Sequence, residues 1–325
     1  MTHAPSASDS TIPAHALAAL MLAPLLWAGN FVVGRWAHVD ADPLTLNFLR
    51  WSVTAVALSP LLLVRGRAVA RCLAARPGAV LLLAALGVAG FNTVLYAGLG
   101  RTTAGAAGVI FGLTPLLILA LARMWGGQAP ARLEVAGGVL AFGGVALVAS
   151  GGAGGVEEGG AALVFAAALL WAGFTVALKR LPLDLPPLTG LALISTVGCL
   201  LMLPFLPLMA PVAALSAPGA PVAVAYLAFG ASILAFAAWT RGVSAVGAGR
   251  AGIFLHLIPV FGVALGALLL DEIVTAEKIA GLALVVGGVL VAQSGERLPQ
   301  RSSRRAETAR RSAQASRLAE GVRSR

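Results

Sequence analysis

Charge is what this sequence has least of. Only 11% of its 325 residues are Asp, Glu, Lys or Arg, while 59% are hydrophobic. An ordinary soluble domain carries about 25% charged residues, so a soluble chain of this length could not cover its own surface. Cysteine is scarce as well. Cys72 falls in a basic loop and Cys199 in an apolar run, and neither a disulfide framework nor a thiolate metal site follows. Walker loops, HExxH patterns, CxxC pairs and a Ser/His/Asp set are all missing. No cofactor and no metal are therefore expected, and an enzyme is not. Residues 1–14 hold no Lys or Arg ahead of the first apolar run, which argues against a cleavable signal peptide.

What fills the chain instead is a series of apolar runs of about 20 residues, the length a helix needs to cross a hydrocarbon layer of ~30 Å. Segments of about ten residues with alternating polarity, the mark of a membrane β-barrel, are not seen. Ten spans can be drawn, at about 15–34, 43–64, 79–99, 104–124, 132–150, 160–178, 187–209, 221–240, 250–270 and 276–293. The formal charge of +10 is concentrated at the end, since nine of the 23 Lys and Arg lie between Arg297 and Arg325. A Ser- and Arg-rich tail beside a last span reads as a solvated, disordered segment near anionic lipid, and nucleic acid is not an expected partner. Arg65, Arg67, Arg71, Arg76, Arg123, Arg132, Lys179, Arg180, Arg241 and Arg250 fall in one set of loops. The alternate set has only Arg35, Arg101 and Lys278, among seven acids that include Asp40, Asp42 and Glu272. That asymmetry places both termini in the cytoplasm of a bacterial inner membrane.

The sequence repeats itself. Leu25-Leu26-Trp27-Ala28-Gly29 returns 144 residues later as Leu169-Leu170-Trp171-Ala172-Gly173. The same offset carries Pro43-Leu44-Thr45 onto Pro187-Leu188-Thr189, Pro60 onto Pro204, Pro115 onto Pro259 and Gly143-Gly144-Val145 onto Gly287-Gly288-Val289. Agreement of prolines and a tryptophan on one offset marks an internal duplication. Five spans per copy is an odd number, so the second copy enters the membrane from the opposite side. The fold class is thus an all-α polytopic membrane protein, with ten transmembrane helices as an inverted 5+5 repeat. A cytoplasmic segment (1–14) precedes the first repeat (15–150); a linker (151–159) joins it to the second (160–293), and a basic tail (294–325) follows. In transporters built this way the substrate lies near the midplane between repeats, and access alternates as one half rocks against the other.

The chain resembles the EamA-type branch of the drug/metabolite transporter superfamily. Leu26-Trp27-Ala28-Gly29-Asn30-Phe31, Phe48-Leu49-Arg50, Thr114-Pro115, Ile258-Pro259 and Asp271-Glu272 carry the resemblance, over residues 15–293. It implies a central cavity lined mainly by spans 1, 3, 4, 6, 8 and 9, a peripheral span 2, and export or exchange of small metabolites, often amino acids. The family often has an acid after span 4 as well as after span 9. Here those first-half positions are Gly127-Gln128.

Several residues are candidates for the site. Arg50 lies about two turns into span 2, where a charge marks function by default. It can also snorkel outward or pair with Asp40 or Asp42, and a role in orientation or gating is favoured over direct substrate contact. His256 takes the place of the second glycine of Gly108-Val109-Ile110-Phe111-Gly112, which otherwise forms a small-xxx-small packing face. The imidazole either satisfies a neighbouring carbonyl or faces a cavity. Trp27 and Asn30 share a face of span 1, and Trp171, Phe174 and Thr175 take the equivalent face of span 6. Asn92 and Tyr96 pair on span 3, with Thr240 beside Trp239 on span 8. Tyr96 and Trp239 could equally be interfacial anchors. Pro115 and Pro259 each remove a backbone donor near mid-span, giving a static kink or a gating bend. The absence of Asp or Glu deep in any span weakens a multidrug or lipophilic-cation exporter, the first alternative. An intramembrane enzyme, the second, would have His256 as its one deep base. The expected function is an inner-membrane transporter of small organic metabolites, most simply amino acids or related compounds. Its partners are the small-molecule substrate and the bilayer, and a monomer and a homo-oligomer both stay open.

Overall fold

A computed structural model describes residues 12–39, 41–126, 130–150, 159–247 and 251–294. The N-terminal segment, the linker at 151–158, Asp40, Gly127-Gln128 and the basic tail lie outside the described residues. Among the described residues the chain is all helix, with ten helices long and apolar enough to cross a membrane. They are α1 (Ala14–Ala37), α2 (Pro43–Val64), α3 (Pro77–Leu99), α4 (Ala104–Gly126), α5 (Arg132–Ala149), α6 (Gly160–Arg180), α7 (Pro187–Leu208), α8 (Ala220–Val246), α9 (Gly252–Leu270) and α10 (Ala276–Ser294). In hydrocarbon a helix is the element that pairs every backbone group within its own segment. Large apolar side chains such as Val56, Leu63, Val139 and Leu268 point outward from the bundle, as a lipid-facing surface requires.

Local chemistry sets the helix starts. Asp42 accepts from the amides of Leu44 and Thr45, each at 3.0 Å, and Pro43 occupies the first helical position of α2, the preferred N-terminal arrangement. Thr103 caps α4 by accepting from Ala106 N. Packing then repeats with the duplication. Helix α1 packs on α8 and α9, as its image α6 packs on α3 and α4, while α2 meets α7 and α4 meets α9. Glycines set the closest approaches. A Cβ on Gly144 would stand 2.7 Å from Gly281 O, and one on Gly288 would stand 2.5 Å from Gly137 O, so α5 and α10 touch backbone to backbone. Gly108 lies against Gly262 and Pro259 in the same manner.

Among the described residues five departures from regular α-helix were not legible in the apolar pattern; one, the 3-10 end of α7 over Leu203–Leu208, has no image in α2, and the other four respect the repeat. Ala85–Gly90 in α3 and Tyr226–Leu234 in α8 are wound as π-helix. Helix α4 breaks between Phe111 and Thr114, and α9 opens with a tight 3-10 turn over Gly252–His256. Pro115 and Pro259 each follow their break, so the missing proline donor falls in the first turn of a restarted helix. There it leaves no hole in a hydrogen-bond ladder. The break is already built into both helices.

Candidate functional site

The π-segments matter because they re-aim side chains and free carbonyls. In α3 the freed carbonyls of Val88 and Ala89 accept from Asn47 Nδ2, at 2.8 and 3.2 Å, and Thr93 Oγ1 also bonds Ala89 O. In α8 the hydroxyl of Ser232 donates to Leu227 O, five residues back, at 2.8 Å. Asn47 therefore binds α2 to α3, and Ser232 is turned toward α2. Gly87, within the first π-segment, leaves room for the ring of Phe174, whose Cδ2 lies 2.5 Å from where a Cβ would be.

Between these segments lies a cavity of about 210 Å³. One end is polar and centres on Arg50, which is only 4% exposed. Its Nε donates to Ser232 Oγ at 2.9 Å. Its Nη1 lies within 2.7–2.8 Å of Asn30 Oδ1, Asn92 Oδ1 and Tyr96 Oη, and the Tyr96 hydroxyl donates onward to Asn30 Oδ1 at 3.0 Å. The guanidinium carbon also stands 5.0 Å from the Trp51 ring centroid, within cation–π range. One arginine thus joins α1, α2, α3 and α8 across both repeats.

All of these partners are neutral. The ion pairs among the described residues are Arg76–Asp184, Arg123–Glu134 and Lys278–Glu272, and none involves Arg50. Asp42 is spent on the cap of α2, and Asp40 lies outside the described residues. Arg50 does not snorkel to the membrane surface either. Its positive charge stays inside the bundle.

The rest of the wall is apolar, with aromatic rings set among aliphatic side chains such as Ile118, Leu191, Ile194 and Ile258. Phe31, Phe111, Phe91, Trp171 and Phe174 form a chain of rings with successive centroids 5.5, 5.7, 4.9 and 5.2 Å apart. Trp27 and Trp239 make a second pair at 5.6 Å, and Phe236 completes that side. Among the described residues no Asp or Glu lines the cavity.

Trp27, Asn30, Asn92, Trp171, Phe174, Thr175 and Trp239 all reach this cavity, as does Arg50. Three candidates do not. Tyr96 is fully buried behind the cavity and holds Arg50 and Asn30; it is not an interfacial anchor. The Thr240 hydroxyl turns back to Phe236 O at 3.0 Å. His256 is buried outside the cavity, with Gln293 of α10 as its polar neighbour. It lies in the 3-10 turn of α9, off the face taken by Leu255 and Ile258. Pro115 and Pro259 lie outside the lining too. Span 2 is not peripheral, because α2 brings both Arg50 and Trp51 to the cavity, and α7 adds Leu191 and Ile194. Sequence reasoning missed Trp51, Ser232 and the phenylalanines Phe31, Phe91, Phe111 and Phe236. Ser232 carried a signal, being a polar residue in span 8 where the repeat has Val88. The phenylalanines looked like ordinary apolar core.

The cavity is not centred between the two faces of the bundle. With ten spans both ends of the bundle lie on one face. Leu191, Leu255 and Thr175 line the cavity three to five residues from the helix ends on that face. Toward the opposite face Asn30, Arg50, Asn92 and Phe111 each leave seven residues of helix above them, about 10 Å at 1.5 Å per residue. Fully buried Leu99, Ala104 and Val164 fill that layer. On the same side the Glu272 carboxylate accepts from Ala104 N at 2.5 Å and Gly105 N at 2.9 Å, and Lys278 Nζ stands 3.8 Å away. A carboxylate on a helix N-terminus is favourable, so the second repeat clamps the first here.

The EamA-like transporter family model matches residues 15–150 and 159–293. This chain belongs to the EamA-like transporter family. The uncharacterised transporter YyaM of Bacillus subtilis is 29% identical, over 68% of this chain and 74% of that protein. A protein of Streptantibioticus cattleyicolor named "Probable terminal-alkyne amino-acid exporter" is 25% identical, over 84% of this chain and 91% of that one. The inner membrane transporter YedA of Escherichia coli is 26% identical, over 84% and 87%. A solved crystal structure shares the fold with a TM-score of 0.61 at 22% identity, covering 87% of this chain and 98% of that chain. As an EamA-like protein the chain is a membrane transporter, and the ten helices are its inverted 5+5 repeat.

Proposed function

We propose that this transporter exports or exchanges small organic metabolites, amino acids or related compounds, by alternating access across a bacterial inner membrane. The cargo's carboxylate is held at Arg50. One observation carries the reading: a positive charge buried between the repeats, with only neutral partners, at the end of an aromatic cavity. A carboxylate 4 Å from it gains about 4 kcal/mol at an effective dielectric of 20, before desolvation is deducted. The relatives in S. cattleyicolor and E. coli, named as an exporter and an inner membrane transporter, support the direction and the location.

The basic loops put the face bearing the termini in the cytoplasm. The cavity then leans toward the cytoplasm with its outer side clamped, a state ready to load cargo for export. The repeats, 15–150 and 160–293, are the two bodies that rock. A lipophilic-cation exporter fits less well, since no carboxylate lines the cavity. An intramembrane enzyme fits less well still, because its one deep base, His256, lies outside the cavity. Proteoliposomes loaded with radiolabelled amino acids and their derivatives test the proposal through protein-dependent efflux. Absence of flux for every carboxylate cargo overturns it.

A further inference from the structure

We infer that the cargo bears a carboxylate but no free ammonium: an N-acylated amino acid, or an aryl or alkyl carboxylate, with net charge minus one. This rests on the proposed carboxylate site at Arg50, and deepens it.

The hydrogen-bonding groups at the polar end are one-sided. Its side-chain oxygens are already engaged. Asn30 Oδ1 accepts from Arg50 and Tyr96, and Asn92 Oδ1 and Tyr96 Oη accept from Arg50. Ser232 Oγ accepts from Arg50 Nε and gives its proton to Leu227 O. Arg50 also fixes the sense of the two amides, because a flip would set an NH₂ group against the guanidinium. Donors are what remain. Arg50 Nη2 and Asn30 Nδ2 make no hydrogen bond among the described residues. Asn92 Nδ2 and Trp51 Nε1 are buried without a partner, on two residues that line the cavity. A carboxylate is acceptor-only and matches such an end, whereas an ammonium is donor-only and would have to share oxygens that already accept from the guanidinium.

Charge points the same way. Two carboxylates on the opposite-face side are committed elsewhere, Asp42 to the amides of Leu44 and Thr45 and Glu272 to Ala104 N, Gly105 N and Lys278. An α-ammonium sits one carbon from its carboxylate, so docking the carboxylate brings the ammonium up against the guanidinium. Acylating or deleting the amine removes that conflict. The ring chain from Phe31 to Phe174 then receives an apolar body. The aromatic faces are what could offset a cation among the described lining residues at the ring chain, and the probe series below measures that competition directly.

The test uses the purified full-length protein and four probes with one phenyl body: 3-phenylpropionate, N-acetylphenylalanine, phenylalanine and phenethylamine. Thermal shift reads binding by mass action, and quenching of tryptophan fluorescence gives Kd. The expected result is that both anions raise Tm and bind at least about tenfold tighter than phenylalanine, with no shift from phenethylamine. Arg50→Gln should erase the anion shift. The wild-type ranking decides the question even where that variant does not fold. Phenylalanine binding as tightly as the anions overturns this inference and leaves the amino-acid reading standing. Preference for phenethylamine, or no binding and no flux with any carboxylate, overturns both.

Discussion

Arg50→Gln separates two kinds of energy. In stability the substitution both removes and relieves. The charge-assisted hydrogen bonds from Nε–H and from the two Nη1 protons go, each worth about 1.5–3 kcal/mol, but so does the desolvation of a buried cation, which is several kcal/mol. A glutamine amide can still donate to one or both of Asn30 Oδ1 and Asn92 Oδ1, and Tyr96 continues to donate to Asn30. The balance is a modest loss, about 1–3 kcal/mol, and the variant should purify as a folded protein. In binding there is no such cancellation. The Coulomb attraction of about 4 kcal/mol disappears. If desolvation of the carboxylate consumes half of it, about 2 kcal/mol is lost, a roughly thirtyfold rise in Kd. Tryptophan fluorescence is a convenient assay because Trp27, Trp51, Trp171 and Trp239 all line the cavity. Titration of the variant and wild type with an anionic cargo, beside their unliganded Tm values, reads both terms. A Kd within twofold of wild type refutes the anion-site reasoning. A collapse of Tm with normal binding by the folded remainder would make Arg50 a structural tie alone. Arg50→Lys should fall between, since an ammonium keeps the charge but cannot span Ser232 and three further oxygens as the planar fork does.

Other outcomes follow from the packing. Asn47→Leu should lower stability by about 1–3 kcal/mol by orphaning the π-segment carbonyl of Val88 and leaving Ala89 O to Thr93 alone, visible as a lower Tm in detergent with little change in cargo Kd. Glu272→Gln leaves Lys278 without its ionic partner and weakens the cap on α4, a loss of about 1 kcal/mol; crosslinking across the Ala104–Glu272 contact should drop in yield. Gly144→Val sets a side chain against Gly281 O, 2.7 Å from the new Cβ, and should abolish folded expression, whereas the same change at Gly143, with open space around it, should be tolerated. His256→Gly restores the glycine of the first repeat and should leave cargo affinity unchanged, because the imidazole does not face the cavity.

Much of this was written in the sequence. Apolar runs and the constant offset of prolines gave ten spans and their inversion, because length and duplication survive in any sequence that builds such a fold. Of the mismatched pairs between repeats, Asn30 against Phe174 falls on the cavity wall, whereas Gly112 against His256 and Tyr96 against Thr240 fall outside it. What was hidden depends on backbone geometry. Ser232 bonds both Arg50 and a carbonyl five residues back in the π-wound part of α8, and His256 lies in the 3-10 turn that opens α9, outside the cavity lining. Neither winding has an apolar period that could be read beforehand. The partners of Arg50 were hidden for a related reason. An exit toward Asp42 looked open until that carboxylate proved to be capping its own helix.

The asymmetry of the repeats gives the cavity a direction. In an inverted duplication, residues that sit a fixed depth below one face in the first repeat have images at that depth below the other. Asn30, Arg50 and Asn92 lie about 10 Å below the face opposite the termini, and their images Phe174, Ile194 and Phe236 line the end nearer the termini. A solute entering from the termini face therefore passes rings before it meets the charge. Rocking the halves would open the layer of Leu99, Ala104 and Val164 next to Arg50, so the carboxylate that binds last leaves first. Cysteine labelling tests this order. Burial pushes the Cys72 thiol up, and Arg76 opposes that more weakly, so this native cysteine should react slowly; Cys199 is replaced by alanine. Thr175→Cys, at the termini end of the cavity, should react with an impermeant maleimide from the termini face alone. Leu99→Cys, in the sealed layer, should stay protected until cargo drives turnover and then react from the opposite face. Labelling of Leu99→Cys from the termini face, or of Thr175→Cys equally from both faces at rest, would show that the cavity does not open where its lining residues point.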